Sequence, residues 1–254
     1  MNGLKKTACA WGIGLLMFVL RLIQNLKDFD SETGLHTLSA AGIALYALIA
    51  VSGVAMFILS RQESGEKRTF ASQFSAPDRL MIPMVVGSFL MAAGGALTLI
   101  AAYHTRDVIT GGLLGGLRAA DITVTVLAIA SCIGFIALTG KMRHDEADSV
   151  VPVLPAMFFG AFWVLSLYLP AAEDPVFARY YLPILAAAMT AYAFAELGGF
   201  FRGESKVRNF RFVAGFAVAL CMAAVAELNA GSLLFAGCGV ILSVLLLLSR
   251  EQHA

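Results

Sequence analysis

Six polar or charged residues lie within or beside long apolar segments, and they are the residues of this sequence most able to do chemistry. An ionisable side chain inside a membrane span is costly unless it is paired or faces water, so each is a candidate functional residue. Charges of both signs would suit a site that binds a small solute. The candidate substrate-binding residues are Arg21, Gln24, Asn25, Arg118, Asp121 and Glu227.

The charged members of this set reach a similar depth on three apolar segments. From the helical rise, Arg21 lies about 21 Å along its segment and Glu227 about 25 Å along another. Arg118 and Asp121 are three residues apart, close enough to pair on one helix face. Either these charges line an outward-facing polar site, or each extends into the outer headgroups as a boundary residue. Arg21 favours a site, because so deep an arginine needs a carboxylate partner or a water-filled cavity.

The composition places these residues in a lipid environment. The chain is 59% hydrophobic and only 14% charged, and its mean hydropathy is +0.81. About a quarter of the residues in a soluble domain are charged. The composition therefore excludes a water-soluble enzyme, a disordered regulator and a nucleic-acid-binding protein, which needs a basic surface. The net charge of +1 identifies no partner, and the bilayer is the one that the composition implies.

Eight apolar segments organise the chain. A bilayer core about 30 Å thick requires about 20 residues of helix, and helices satisfy their own backbone hydrogen bonds in lipid. The sequence thus predicts an all-α polytopic transmembrane bundle of about eight spans, one integral membrane domain over residues 1–254. The first span is predicted to be retained, not cleaved as a signal, and the last two to form a tight helical hairpin. The predicted spans are 7–26, 38–59, 80–103, 119–138, 150–172, 180–201, 210–228 and 232–249.

The basic residues predict the orientation. Cytoplasmic loops of membrane proteins carry an excess of lysine and arginine. With the N-terminus inside, thirteen of the 18 basic residues fall on the cytoplasmic side, which predicts that both termini are cytoplasmic. The five on the outer side are Arg21, Lys27, Arg106, Arg118 and Arg179.

Two segments hint at an internal duplication. Residues 46–48 (Tyr-Ala-Leu) and Gly53 match residues 192–194 (Tyr-Ala-Phe) and Gly199, and similar loops follow both. A duplication would give parallel 4+4 repeat halves at residues 1–141 and 142–254, an arrangement that some transporters use. The alternative is chance similarity between apolar helices.

Small residues and cysteines indicate helix packing. Small residues spaced by four let helices approach closely in lipid. The cysteines lie in apolar runs and lack metal-binding or redox spacing, so they are predicted to be packing residues. The small-residue stripes are Ser88, Ala92 and Ala96, and Ala187, Ala191, Ala195 and Gly199; the cysteines are Cys9, Cys132, Cys221 and Cys238.

Three further features have competing interpretations. Residues 111–116 (Gly-Gly-Leu-Leu-Gly-Gly) are predicted to form an outer loop; the alternative is that they dip into the bundle and carry Asp121 about 13 Å deep. The acidic run 28–34 begins like a calcium loop, but its twelfth position is Ser39 instead of glutamate, so it is predicted to be a solvated turn. Glu196 is predicted to be a boundary residue, paired with Arg202.

A short resemblance concerns the first span and the loop after it. Residues 21–26 (Arg-Leu-Ile-Gln-Asn-Leu) and 29–35 (Phe-Asp-Ser-Glu-Thr-Gly-Leu) resemble the first loop of uncharacterised bacterial polytopic membrane proteins. The resemblance covers about 15 residues and implies a multi-pass protein of the bacterial cytoplasmic (inner) membrane. It implies no chemistry.

The sequence lacks the usual enzyme signatures. It contains no zinc-binding His-Glu-x-x-His, phosphate-binding loop or dinucleotide fingerprint, and no Gly-x-Ser-x-Gly nucleophile elbow. The four histidines are scattered. The protein is therefore predicted not to be an enzyme, with no catalytic residue, metal or cofactor.

Two classes of function remain. A small-solute transporter, or a membrane-embedded solute-binding subunit, would explain the spans, the duplication and the charges at one depth. A non-catalytic structural, signalling or assembly membrane protein would explain the same bundle with the charges as boundary residues. The basic loops around 61–79 and 202–211 could contact a cytoplasmic protein partner or anionic lipid. Substrate, energy source and oligomeric state are not encoded in any recognisable motif.

Overall fold

The structure is a computed structural model, and it describes residues 3–28, 39–61, 66–74, 80–105, 119–143, 149–173 and 179–249. Two isolated β-bridges are the only β-structure in these ranges, so the predicted all-α fold class is confirmed. The α-helices are α1 Gly3–Lys27, α2 Ala40–Ser60, α3 Phe70–Gln73, α4 Met81–Thr105, α5 Ala119–Arg143, α6 Leu154–Glu173, α7 Tyr181–Phe201, α8 Val207–Ala224 and α9 Ser232–Leu248.

Eight of these helices correspond to the predicted spans. Within the described ranges, seven segments are long and apolar enough to cross a bilayer, and α9 is a shorter apolar helix of 17 residues. Its length of about 26 Å falls slightly short of a bilayer core about 30 Å thick. The short α3 lies between the second and third spans and was not predicted, because four residues carry no recognisable periodicity.

Some predicted span boundaries are wrong because polar residues or prolines set the ends of the helices. Helix α8 begins at Val207, three residues before the predicted span, and so also includes Arg208. Helix α6 begins at Leu154, after a turn in which the Val153 amide donates to the Val150 carbonyl. Counting apolar residues locates the part of a helix that lies in lipid and misses polar turns.

Six consecutive helices, α4 to α9, form a ring. Each packs against the next, and α9 packs against α4 to close it; we call this the six-helix ring. Helices α1 and α2 pack outside the ring on α8 and form the outer pair. Helix α8 is therefore enclosed on both sides, and in its most apolar stretch 78% of the residues are buried, against 22% in α2.

Aromatic residues fill the middle of the ring. Trp163 of α6 lies 4.5 Å from Phe235 of α9 and 5.1 Å from Phe159 between ring centroids. Phe135 of α5 and Phe194 of α7 lie 5.5 Å apart. All five are buried, so the centre of the ring is a packed apolar core.

The two ends of the bundle differ. Lys6 near the start of α1 and Leu246 near the end of α9 line the same small cavity, so the start of α1 and the end of α9 share one end, the terminal end. There α3 stacks on α7 through Phe70 and Phe201, 4.3 Å apart, and Phe74 pairs with Ser249. The opposite, distal end holds the polar residues described below. Which end faces the cytoplasm and whether the halves are repeats remain predictions.

Glycines close the ring between α4 and α9. A Cβ atom on Gly94 would lie 2.5 Å from the Leu234 amide nitrogen, and one on Gly237 would lie 2.5 Å from that of Met91. The helices approach each other here more closely than any side chain permits. The predicted stripe of Ser88, Ala92 and Ala96 is only partly buried, and the close contact runs through glycines instead.

A sharp turn separates α8 from α9. A single 3₁₀ turn, Val225–Glu227, follows α8, and Leu228 then adopts the left-handed conformation (φ 50°, ψ 32°). The Asn229 amide donates to the Ser232 hydroxyl at 3.0 Å and supports the start of α9. The predicted break between the last two spans is thus confirmed, and it places Glu227 at the distal end.

Candidate functional site: a polar cavity at the distal end

A buried ion pair joins the outer pair to the ring. Arg21 of α1 is fully buried. Its Nε and Nη2 atoms lie 2.7 and 2.6 Å from Oε1 of Glu227, in the 3₁₀ turn after α8. Charge-assisted pairs of this length are among the strongest polar contacts in proteins. The deep arginine thus has the carboxylate partner that its position requires.

The remaining Arg21 donors are also satisfied. Its Nη1 donates to Gln24 Oε1 at 2.7 Å, and Nη2 donates to the Arg179 carbonyl at 2.9 Å. The Tyr181 ring centroid lies 5.5 Å from the guanidinium carbon, within range of a cation–π contact. Asn25 donates to the Ala226 carbonyl at 3.2 Å, which ties α1 to the turn before Glu227.

Next to this ion pair lies a cavity of about 480 Å³ at the distal end of the six-helix ring. Its volume falls within the range typical of small-molecule sites, about 300–1,000 Å³. Trp163 and Phe235, from the aromatic core, lie on the inner side of the cavity. Every ring helix, or the turn beside it, contributes to the lining, for example Thr98, Asp121, Ser166, Pro183, Glu227 and Phe235.

Asp121 is the carboxylate of the cavity that has no cationic partner among the described residues. Its Oδ1 accepts a hydrogen bond from the Ser166 hydroxyl of α6 at 2.9 Å. Within the described ranges Asp121 has no ion-pair partner, whereas Glu227 has Arg21. Arg179 also lines the cavity, and its charge acts on Glu227. Among the described residues, the ion pair at a carboxylate of the cavity is therefore that of Glu227.

A proline in α6 adds a backbone acceptor near Asp121. Pro170 lies inside the helix and also lines the cavity. Proline has no amide hydrogen, so the carbonyl four residues earlier, that of Ser166, lacks its usual helical donor. The Ser166 hydroxyl thus contacts Asp121, and the carbonyl of the same residue lacks its usual helical donor.

The structure divides the predicted site residues into two groups. Asp121 and Glu227 line the cavity, whereas Arg21, Gln24 and Asn25 are not among its lining residues and pack around Glu227. Gln24 is fully buried, and its Nε2 has no hydrogen-bond partner in the described part of the chain. Their contact with a solute remains a prediction. Arg118, its proposed pairing with Asp121, and residues 111–116 lie outside the described ranges.

The sequence analysis missed several lining residues. Ser166 and Trp163 are three residues apart, so they share one face of α6, and a polar residue beside a tryptophan on an apolar helix is the signal that could have found them. Arg179 was identified only as an outer basic residue. Tyr180 and Phe235 look like any other aromatic residue near a helix end.

Two predictions about other acidic residues need correction. Asp28 was predicted to lie in a solvated turn but is fully buried after α1; the rest of that acidic run, 29–34, is outside the described ranges. Arg202 pairs with the adjacent Glu204 at 3.4 Å instead of with Glu196. The Arg202 and Glu204 side chains are both exposed. Because an exposed ion pair contributes little to stability, the choice of carboxylate by Arg202 has little effect on the free energy of unfolding.

The described residues contain no group of three histidine, cysteine or acidic side chains that could hold a metal ion. All four cysteines are free thiols; Cys132, Cys221 and Cys238 are buried and Cys9 is partly buried. Thr190 lies 3.3 Å from the Cys221 sulfur, and Cys238 lies 3.7 Å from the Met91 sulfur. These contacts are packing contacts between neighbouring helices.

No protein-family model, curated protein or solved structure matches this chain. The class of protein therefore follows from the fold: a bundle of long apolar helices defines an integral membrane protein with several spans.

Proposed function

We propose that the protein binds a small solute in the distal cavity and acts as a transporter, or as the membrane-embedded solute-binding subunit of one. The observation that carries this proposal is the cavity of about 480 Å³, which is lined by five of the ring helices and the turn after α8 and has both Asp121 and Glu227 among its lining residues. Polar groups at this depth are costly in a membrane protein and mark binding sites or ion pathways.

The difference between the two ends supports a site that opens to one side. The distal end has the cavity of about 480 Å³, whereas the terminal end has the smaller one beside Lys6, and aromatic side chains of α3, α7, α8 and Phe74 pack together there. With the orientation predicted from the basic residues, the distal end faces outward from a bacterial cytoplasmic membrane and both termini are cytoplasmic. The basic segments at the terminal end would then be available to a cytoplasmic protein partner.

A matched pair of tryptophan variants tests the site. Leu167 lines the cavity, whereas Leu165 on the same helix is 46% exposed on the outside of the bundle. In detergent, purified wild-type protein is screened against a broad solute library for ligands that raise the melting temperature. We expect Leu167→Trp to abolish the stabilisation by filling the cavity, and Leu165→Trp to retain it.

Two results would contradict the proposal. One is a library without any stabilising solute; the other is a solute whose effect survives Leu167→Trp in a folded protein. Either would favour the structural, signalling or assembly role, in which the Arg21–Glu227 pair only fixes α1 to the ring.

A further inference from the structure

The charges around the cavity are unevenly balanced, and this imbalance points to the kind of solute that it binds. Glu227 is paired with Arg21, and the charge of Arg179 also acts on it. Asp121, in the first turn of α5, has only the Ser166 hydroxyl as a partner among the described residues. An incoming cation would supply the charge that Asp121 lacks.

Asp121 and Ser166 offer hydrogen-bond acceptors to a ligand. The Asp121 carboxylate can accept several hydrogen bonds, and one of its oxygens is occupied by Ser166. Because Pro170 cannot donate to it, the carbonyl of Ser166, the residue that binds Asp121, is a second acceptor without its usual helical donor. A ligand group that carries N–H donors therefore fits these acceptors better than a carboxylate or a carbonyl.

Aromatic rings lie across the inner side of the cavity. Trp163 and Phe235 both line it, with their ring centroids 4.5 Å apart, and Tyr180 lines it near the start of α7. Indole and phenyl faces attract cations and also bury apolar groups. Such walls do not suit a bare metal ion, which needs several oxygen ligands around it.

From these three features we propose that the cavity binds a small organic ammonium ion, with its N–H groups on Asp121 and its apolar part against Trp163 and Phe235. This inference rests on the proposed function, because it names the solute class for the same cavity. It assigns Asp121 as the residue that selects a positively charged solute. Glu227 lines the cavity, but Arg21 already balances its charge.

A set of probes that differ in charge tests this preference, and the three with a phenyl ring and a two-carbon chain are nearly isosteric. Methylammonium, benzylammonium and 2-phenylethylammonium are compared with the neutral 2-phenylethanol and the anionic phenylacetate, by calorimetry on the purified protein at millimolar concentrations. We expect one of the aromatic ammonium ions to bind at least about tenfold more tightly than 2-phenylethanol and phenylacetate. A factor of ten corresponds to the free energy of about one hydrogen bond to a charged group. Asp121→Asn should remove that preference, and Asp121→Glu should retain it.

The outcomes separate this inference from the proposed function. If the neutral or anionic probe binds as well as the ammonium ions and Leu167→Trp blocks it, the cavity is a solute site but the charge preference is wrong. If ammonium binding persists in folded Asp121→Asn protein, Asp121 is not the selecting residue and the inference fails. If none of the ammonium probes binds, the inference also fails, and the broad library then decides whether the cavity binds any solute.

Discussion

Arg21 is the residue on which the distal end of the molecule depends most. Its guanidinium group contacts α1 through Gln24, the turn after α8 through Glu227, and the chain before α7 through the Arg179 carbonyl. Three separate segments thus share one buried cation. It stabilises their arrangement because each of its contacts is charge-assisted.

Removing this cation should destabilise the protein. We expect Arg21→Ala to lower the free energy of unfolding by about 3 kcal/mol, since breaking one side of a buried pair leaves the other charge uncompensated. SDS titration in mixed micelles measures the effect. Lys27→Ala, at an exposed position of the same helix, is the control and should have little effect.

A double-mutant cycle separates the ion pair from general packing. In a Glu227→Gln background the uncompensated charge is gone, so the further cost of Arg21→Ala should fall to about 1 kcal/mol. Equal costs of Arg21→Ala in the two backgrounds would show that the pair contributes nothing to stability.

At this scale the sequence predicts which residues need partners but not which partners they take. The depth of Arg21 in an apolar segment predicts a buried carboxylate, and Glu227 was one of the candidates. The two residues are 206 positions apart, and no local pattern encodes such a pairing. The sequence did not predict that Ser166 and Arg179 line the cavity, because this depends on which helices are neighbours.

Among the elements, the α4–α9 seam decides whether the ring closes. Gly237 has no space for a side chain, because an added Cβ would lie 2.5 Å from the Met91 nitrogen and 2.7 Å from the Gly87 oxygen. Gly239, two residues later on the same helix, would meet only an ordinary contact of 3.4 Å with Cys221.

This difference predicts opposite outcomes for the same substitution. Gly237→Ala should lower the free energy of unfolding by about 1–3 kcal/mol, the usual cost of overpacking. Gly239→Ala should be neutral or stabilising, since alanine favours a helix by about 1 kcal/mol over glycine. Thermal unfolding in detergent compares them, and equal melting temperatures would show that the seam is less tight than described.

The helices themselves were largely predictable, because hydropathy over about 20 residues depends on local composition alone. All eight predicted spans have a matching helix, and the boundary errors come from polar turns and prolines. The order of helices around the ring was not predictable. It depends on contacts such as Gly94 with Leu234, and glycines distributed along apolar helices do not identify their partners.

For the whole molecule, the orientation is the prediction with the widest consequences. The start of α1 and the end of α9 share the terminal end, which agrees with an even number of crossings. The basic residues predict that this end is cytoplasmic. In a bacterial host, a green fluorescent protein fused to the C-terminus should fluoresce, and alkaline phosphatase at the same position should be inactive.

A fusion between α1 and α2 provides the reciprocal control. Alkaline phosphatase inserted after Lys27, at the distal end, should be active. The reverse pattern of activities would place the cavity on the cytoplasmic side, and the solute would then be one that the cell contains instead of one that it encounters.

The distance along the chain between Arg21 and Glu227 also affects how the protein is made. Arg21 leaves the ribosome 206 residues before its counter-ion, a delay of about 10–40 s at typical rates of synthesis. During that interval the first helix carries an uncompensated charge into the translocation machinery. Helix α1 can therefore form its ion pair only after the seventh long helix has been made. A chain that stops short of residue 227 should remain a substrate for quality-control proteases, even though most of its helices are complete.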